Sequence, residues 1–270
     1  DADRVIDGSG KVVIPGFIQT HVHLCQSLFR GASDDMELMD WLRSRTWPLE
    51  AAHDEESTYY SALLGIAELL RGGTTSIVDH MGFGPEGCDL HHQLKEYHHL
   101  ADNKAVIDYG FHGVAQHVNQ DILDELEGMM EDGVPSVKVY LTYDRRLNDA
   151  EALQVLKRMK ELGGVTAFHC ENHEVVEYCR KAYRESGRTG PEYHAKSRPN
   201  LAEAEAVARI LNLARLAGDA PVYIVHLSCR ESLEAVLDAR KKGQKNIFVE
   251  TCTQYLTLTE ERYLDKDGLK

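Results

Sequence analysis

Seven short apolar runs recur along this chain, and stretches of helical periodicity that stop at glycine lie between them. The runs are 17–23, 76–80, 105–112, 136–143, 165–170, 222–227 and 246–252. Tyr60, Leu63, Leu64, Ala67 and Leu70 follow the i, i+3, i+4, i+7 pattern, and Gly72-Gly73 closes that stretch. Ile122, Leu123, Leu126, Met129 and Met130 repeat it up to Gly133, and Leu153, Leu156, Met159 and Leu162 up to Gly163-Gly164. A fourth stretch holds Val207, Ile210, Leu211, Ala214 and Ala217. It ends at Gly218, and Asn200 with Glu203 reads as its cap and N3 partner. Leu233, Val236 and Leu237 mark a fifth, ended by Gly243. Nearly continuous apolar strands alternating with helices mean parallel strands buried on both faces. A doubly wound sheet and a (β/α)8 barrel both satisfy that pattern. Val5 to Val13 reads as a hairpin leading into the first strand, the remnant of a separate β-rich unit. No repeat or Pro/Ser-rich linker divides the remainder, so residues 1–15 are a lead-in and 16–270 one domain.

Composition excludes several classes. The 270 residues suffice for one large domain. Formal charge is 30 − 44 = −14 with no basic patch, which argues against nucleic acid or an anionic membrane as partner. No run of about 18 apolar residues spans a bilayer, and no leader is visible. Six cysteines are scattered without a CxxC, as expected of reduced thiols in a cytoplasmic protein. The chain opens at Asp1 without methionine and stops at Lys270 in a charged stretch, as a piece of a longer protein would.

The first run ends in His21-Val22-His23. Side chains in a strand alternate with period two, so both imidazoles point the same way, one pleat apart. Functional residues in parallel α/β folds gather at the carboxyl ends of strands. There the fourth run carries Lys138 and ends at Tyr143, the fifth carries His169 and the sixth His226. A lysine facing a barrel interior is desolvated, which favours its neutral amine. That amine can take up carbon dioxide as a carbamate whose two oxygens bridge two metals. Four neutral imidazoles and one bridging anion suit two divalent ions, with Zn2+ the expected metal. Such a pair, about 3.5–4 Å apart, holds a hydroxide and polarises a carbonyl. Tyr143 is placed to donate to the oxyanion. His80 and His112 end the second and third runs at the pocket border or in the core. His91, His92, His98 and His99 are expected to be solvated, and Cys25 to pack.

These residues resemble the amidohydrolase superfamily, and within it the hydantoinase/dihydropyrimidinase group. The matching segments are His21-Val22-His23, 72–79 (GGTTSIVD), 108–112 (DYGFH), 136–143 (SVKVYLTY), 168–172 (FHCEN), 197–199 (SRP), 225–229 (VHLSC) and 250–256 (ETCTQYL). The resemblance implies a TIM barrel of the metal-dependent hydrolase type. Seven of its strands are expected here; the eighth, with its aspartate ligand, and most of a β-sandwich are not. By position, His21 and His23 would bind one metal and His169 and His226 the other. Lys138 would be the carboxylated bridge and Tyr143 the oxyanion donor. The implied reaction is hydrolytic opening of a cyclic amide or ureide of the dihydropyrimidine or hydantoin type, in a homotetramer or dimer. Without the eighth strand, weak metal binding and no turnover of dihydrouracil or hydantoin are expected. Residues 24–71 resemble instead the single-metal deaminase and chlorohydrolase branch. The alternative is therefore a deaminase of a nucleobase-like heterocycle, with Glu171 as proton donor. A bridging lysine has no use in that branch, so Lys138 favours the hydantoinase-like alternative. A third possibility is a hydantoinase-like scaffold without activity; retention of all four histidines and Lys138 argues against it.

Overall fold

A computed structural model of the chain describes residues 3–32, 41–82, 88–190 and 192–264. Its frame is one parallel sheet in sequential order: β1 (Phe17–Val22), β2 (Thr74–His80), β3 (Asp108–Val114), β4 (Ser136–Tyr140), β5 (Val165–His169), β6 (Val222–Ile224) and β7 (Ile247–Val249). The helices are α1 (Trp47–Ala51), α2 (Glu55–Arg71), α3 (Leu90–Ala101), α4 (Gln120–Glu131), α5 (Asp149–Leu162), α6 (His173–Glu185), α7 (Glu192–Lys196), α8 (Asn200–Leu216) and α9 (Arg230–Lys241). A 3-10 segment, Leu24–Phe29, follows β1. The sheet curls, because the Thr20 hydroxyl of β1 comes within 3.3 Å of the Tyr223 hydroxyl of β6. Strand order and helical crossovers are those of a (β/α)8 barrel rather than a doubly wound sheet, whose strand order reverses. Seven of its strands lie among the described residues.

Glycine sets two of the junctions. Gly163 caps α5 at φ 79°, a left-handed conformation that a Cβ disfavours. Gly16 lies against Thr75, where an added Cβ would sit 2.2 Å from the threonine hydroxyl, so β1 and β2 can close up there only on glycine. The core lies between the sheet and α3, α4, α5, α8 and α9. Phe168, Leu156, Ile210, Leu126 and Val139 are fully enclosed in it.

Several expectations change. Strands β4 to β7 end earlier than their apolar runs, so Tyr143 and His226 stand on the loops beyond them. The outer half of β1 is not buried, with Phe17 and Ile18 56% and 65% exposed. The hairpin at Val5–Val13 is absent: a single turn, Lys11 N–H to Gly8 O, interrupts an otherwise irregular stretch. No described strand lies beside it to take its hydrogen bonds or cover Val5, Val12 and Val13. Asn200 and Glu203 do not cap α8. Pro199, at φ −62°, is the cap residue, and Asn200 donates instead to Glu231 (3.1 Å). Glu203 accepts from the backbone and hydroxyl of Ser228. Helix α6 was not expected, although Val175, Val176, Cys179, Ala182 and Tyr183 share one face of it. The terminal charged stretch beyond Leu264 lies outside the described residues.

Candidate metal centre

The carboxyl ends of the strands open onto a cavity of about 980 Å3, lined by His21, His23, His80, Lys138, Tyr143, His169 and His226. All six residues selected from the sequence therefore face one space. His21 closes β1 towards Val22, and His23 follows it as the first residue beyond the strand; their rings lie 5.5 Å apart. The pairing register slips between Gln19 and Val22, which turns the strand end inward. His169 ends β5, and its ring lies 4.6 Å from that of His226. The His21 and His226 rings are 5.6 Å apart and link the two pairs.

Lys138 sits in the middle of β4, 1% exposed and paired in register with Val114 and Ala167. Among the described residues its ammonium has no ion pair, and desolvation outweighs the distant Glu250 charge and brings its pKa down to about 7. Burial also lowers the imidazoles. His23 falls to about 4 through desolvation and then through His21 and Lys138, and His80 and His226 lie well below their ordinary value. Neutral imidazole is the metal-binding form, so His23, His80 and His226 are prepared for a cation.

Carboxylates orient two of the rings from behind. Glu250, just past β7, accepts from His21 Nδ1, from the Tyr223 hydroxyl and, at 3.0 Å, from the His226 backbone. Burial pushes Glu250 up, but the His21 and Tyr223 hydrogen bonds outweigh it and bring the carboxyl to about 2. The bond leaves the His21 Nε2 lone pair facing the cavity. Glu171 accepts from His169 Nε2 at 2.9 Å and is flanked by Arg198 at 3.3 Å. Tyr143 packs 5.1 Å from the His169 ring, and burial, followed by Glu171, raises its pKa, so the phenol keeps its proton. Tyr143 at φ 73° and His226 at φ 36° both hold left-handed backbone. Strain of that kind at side chains aimed into a cavity is a mark of function.

The sequence treated His80 as bordering the pocket at most, but the structure brings it to the centre. His21, His23 and His80 place ligand nitrogens within 4.8 Å of one another, and among the described residues they are the one such group. His80 Nε2 is buried without a hydrogen-bond partner, as a nitrogen awaiting a cation would be. These residues fit a divalent metal ion. The signal for His80 was its place at the carboxyl end of β2, the criterion that selected the other four histidines. His112, one strand further, is spent: Nε2 donates to the Thr20 carbonyl (2.9 Å) and Nδ1 accepts from Ser136. Glu250 was quoted in a matching segment without a role. On α3, His98 and His99 pair with Asp102 and Glu55 near the surface.

Residues 12–266 match the profile of the Amidohydrolase family. A D-phenylhydantoinase of Escherichia coli O1:K1 / APEC is 44% identical over 265 residues, which cover 98% of this chain and 52% of that protein. The crystal structure of a dihydropyrimidinase from Brevibacillus agri superposes with a TM-score of 0.69 at 40% identity, covering 73% of this chain and 43% of the other. An L-hydantoinase (dihydropyrimidinase) from Arthrobacter aurescens, 22% identical, shares the fold over 97% of this chain and 52% of its own, with a TM-score of 0.73. The chain spans about half the length of the curated relatives it matches. No described helix is long and apolar enough to cross a membrane. Sequence match, fold and histidine cluster agree: the chain belongs to the amidohydrolase family.

Proposed function

We propose that this protein hydrolyses a small cyclic amide or ureide, of the dihydropyrimidine or hydantoin type, at a centre for two divalent ions. The observation that carries this is Lys138. It is a wholly buried amine in the middle of a strand, among the imidazoles of the cavity, with a pKa near 7. Only the neutral amine reacts with carbon dioxide, losing a proton to become a carbamate. Near pH 7 about half of this residue is neutral, whereas an exposed lysine is almost wholly charged. His21 and His23 would hold one ion, His169 and His226 the other, and the Lys138 carbamate would bridge them. Zn2+ suits this set of imidazoles and oxygens. When bound, such a pair polarises the scissile carbonyl and supplies a nucleophile from water at neutral pH.

The chain's own residues do the rest. Tyr143, kept protonated by burial, donates to the carbonyl oxygen as negative charge develops. Glu250 fixes the ring of His21 and Glu171 that of His169, which holds the ligands in position. The apolar wall of Leu24, Trp47, Tyr59, Tyr97 and Phe111 admits a ring and excludes water from it. Relatives with D-phenylhydantoinase and dihydropyrimidinase names support this substrate class. The family resemblance suggests a homotetramer or dimer, and the free cysteines suit the cytoplasm.

Metal content measured with and without bicarbonate tests the proposal. The expected result is two ions per chain and a carbamate carbon signal from 13C-bicarbonate; in Lys138→Ala the signal and the second ion should be lost. One ion per chain whatever the bicarbonate would overturn it. Release of the ring-opened ureido acid from hydantoin or dihydrouracil, by the protein at the length at which the cell makes it, tests the reaction itself.

A further inference from the structure

We propose that His80 of β2 is a direct ligand of the ion at His21 and His23, completing a three-imidazole seat that fills without the Lys138 carbamate. This rests on the hydrolase reading only in that an ion binds at the end of β1. The argument is one of nitrogen bookkeeping. His80 Nδ1 faces the Val22 carbonyl at 3.4 Å, and a carbonyl accepts only, so the ring proton is on Nδ1. The lone pair is then on Nε2, which is buried and has no hydrogen-bond partner. A buried lone pair left without donor or cation is costly, and such orphans are uncommon in folded proteins. The His80 ring lies 4.6 Å from that of His21 and 4.9 Å from that of His23. The three ligand nitrogens lie within 4.8 Å of one another. His21 is in the same tautomer for the same reason, because Glu250 takes its Nδ1 proton.

The backbone also holds His80 in place. Asp79, beside it in β2, accepts from the His80 backbone N–H at 2.8 Å and from that of Leu24 at 3.4 Å. One carboxylate thus pins the residue after His23 to the strand that carries His80. His112 supplies the contrast: its ring lies 4.8 Å from that of His80, yet both its nitrogens are taken by protein partners. Three neutral imidazoles with a fourth position left open are a complete set for a zinc-like ion. The first ion therefore binds in carbonate-free buffer, and only the second waits for the modified lysine.

Co2+ titration of the protein in carbonate-free buffer, read by its visible d–d bands, tests this. The parent is expected to take one Co2+ per chain with the intense bands of a four-coordinate site. In His80→Asn that affinity should fall at least about 100-fold, beyond the 10–100-fold that outer-shell partners are worth. His112→Asn should leave affinity and bands unchanged. Unaltered affinity and bands in His80→Asn would overturn the inference. A second readout needs no variant: proton NMR of the Co2+-loaded parent should show three exchangeable, strongly shifted ring N–H signals, and two would overturn the inference. If two ions bind with bicarbonate while His80→Asn matches the parent, only the role of His80 fails. If the parent binds no Co2+ under either condition, this inference and the hydrolase reading fail together.

Discussion

Strands β3 to β7 and the described residues 24–32 and 41–71 border the same cavity but are held together in different ways. The first region packs against α4, α5 and α8 in one continuous core, in which Phe168, Val139, Leu156 and Ile210 are sealed from solvent. The second is joined to β2 by a small separate cluster of Leu24, Ile66 and Ile77. Polar clasps do much of the remaining work there. The Ser61 hydroxyl lies 2.9 Å from the Leu24 carbonyl and receives the Leu28 N–H at 3.2 Å, and His53 Nε2 donates to the Cys25 carbonyl at 2.7 Å. The large core fixes where Lys138 and His169 stand, while the lightly attached segment shapes the space in front of them. A family can therefore vary substrate in the second region without disturbing the ligands carried by the first.

Lys138→Met gives the largest expected effect and sets the two roles of the packed half against each other. Ring-opening turnover should fall by at least about 10³-fold with loss of the bridge. The metal-free protein should nonetheless become more stable at pH 7, because a buried amine gives way to an apolar side chain of similar length. The sign follows from the protons bound. Between about pH 7 and the ordinary lysine range, unfolded Lys138 carries a proton that the buried amine does not. Stability of the parent therefore rises with pH across that window, by up to roughly 5 kcal/mol. The advantage of the variant should shrink over the same window, and urea midpoints across pH would show it. A constant advantage would mean that Lys138 is not desolvated.

Next come paired truncations. Phe168→Ala should cost about 3–5 kcal/mol and Ile66→Ala about 2 kcal/mol, since the smaller cluster can close over its own vacancy. Equal losses by urea unfolding would erase the contrast between the regions. Tyr143→Phe should lower kcat by about 10²–10³-fold with KM and stability little changed. An equal effect on kcat and stability would show that the hydroxyl serves packing. The smallest effect is expected at the clasp. Ser61→Ala should cost about 1–2 kcal/mol by leaving Leu28 N–H and the Leu24 carbonyl without their partner. Faster hydrogen exchange confined to 24–29, with β4 and β5 unaffected, would confirm that the two regions open separately.

The same division decided what the sequence made legible. Gly72, Gly133, Gly163, Gly218 and Gly243 each end a helix or follow its end, and the apolar runs each hold a strand, because burial on both faces leaves an unbroken pattern. Lys138 was legible because a lysine among valines in a buried strand has few alternatives. His80 was not. A lone histidine after a run of apolar residues resembles a core histidine, and only the third dimension shows its nitrogen unmatched. The hairpin expected at 5–13 failed for a related reason: alternation shows that a segment can pair, while pairing needs a neighbour. The cap assigned to Asn200 and Glu203 failed because both side chains had stronger partners distant in sequence, Glu231 and Ser228.

Glu250 follows the last strand and grips a histidine on the first. One carboxylate therefore ties the two borders of the curled sheet through a residue whose other nitrogen faces the ion seat. Drawing electron density from that imidazole strengthens the tie, so occupancy of the seat should be felt at β7, and stripping the cations should loosen the border strands before the middle ones.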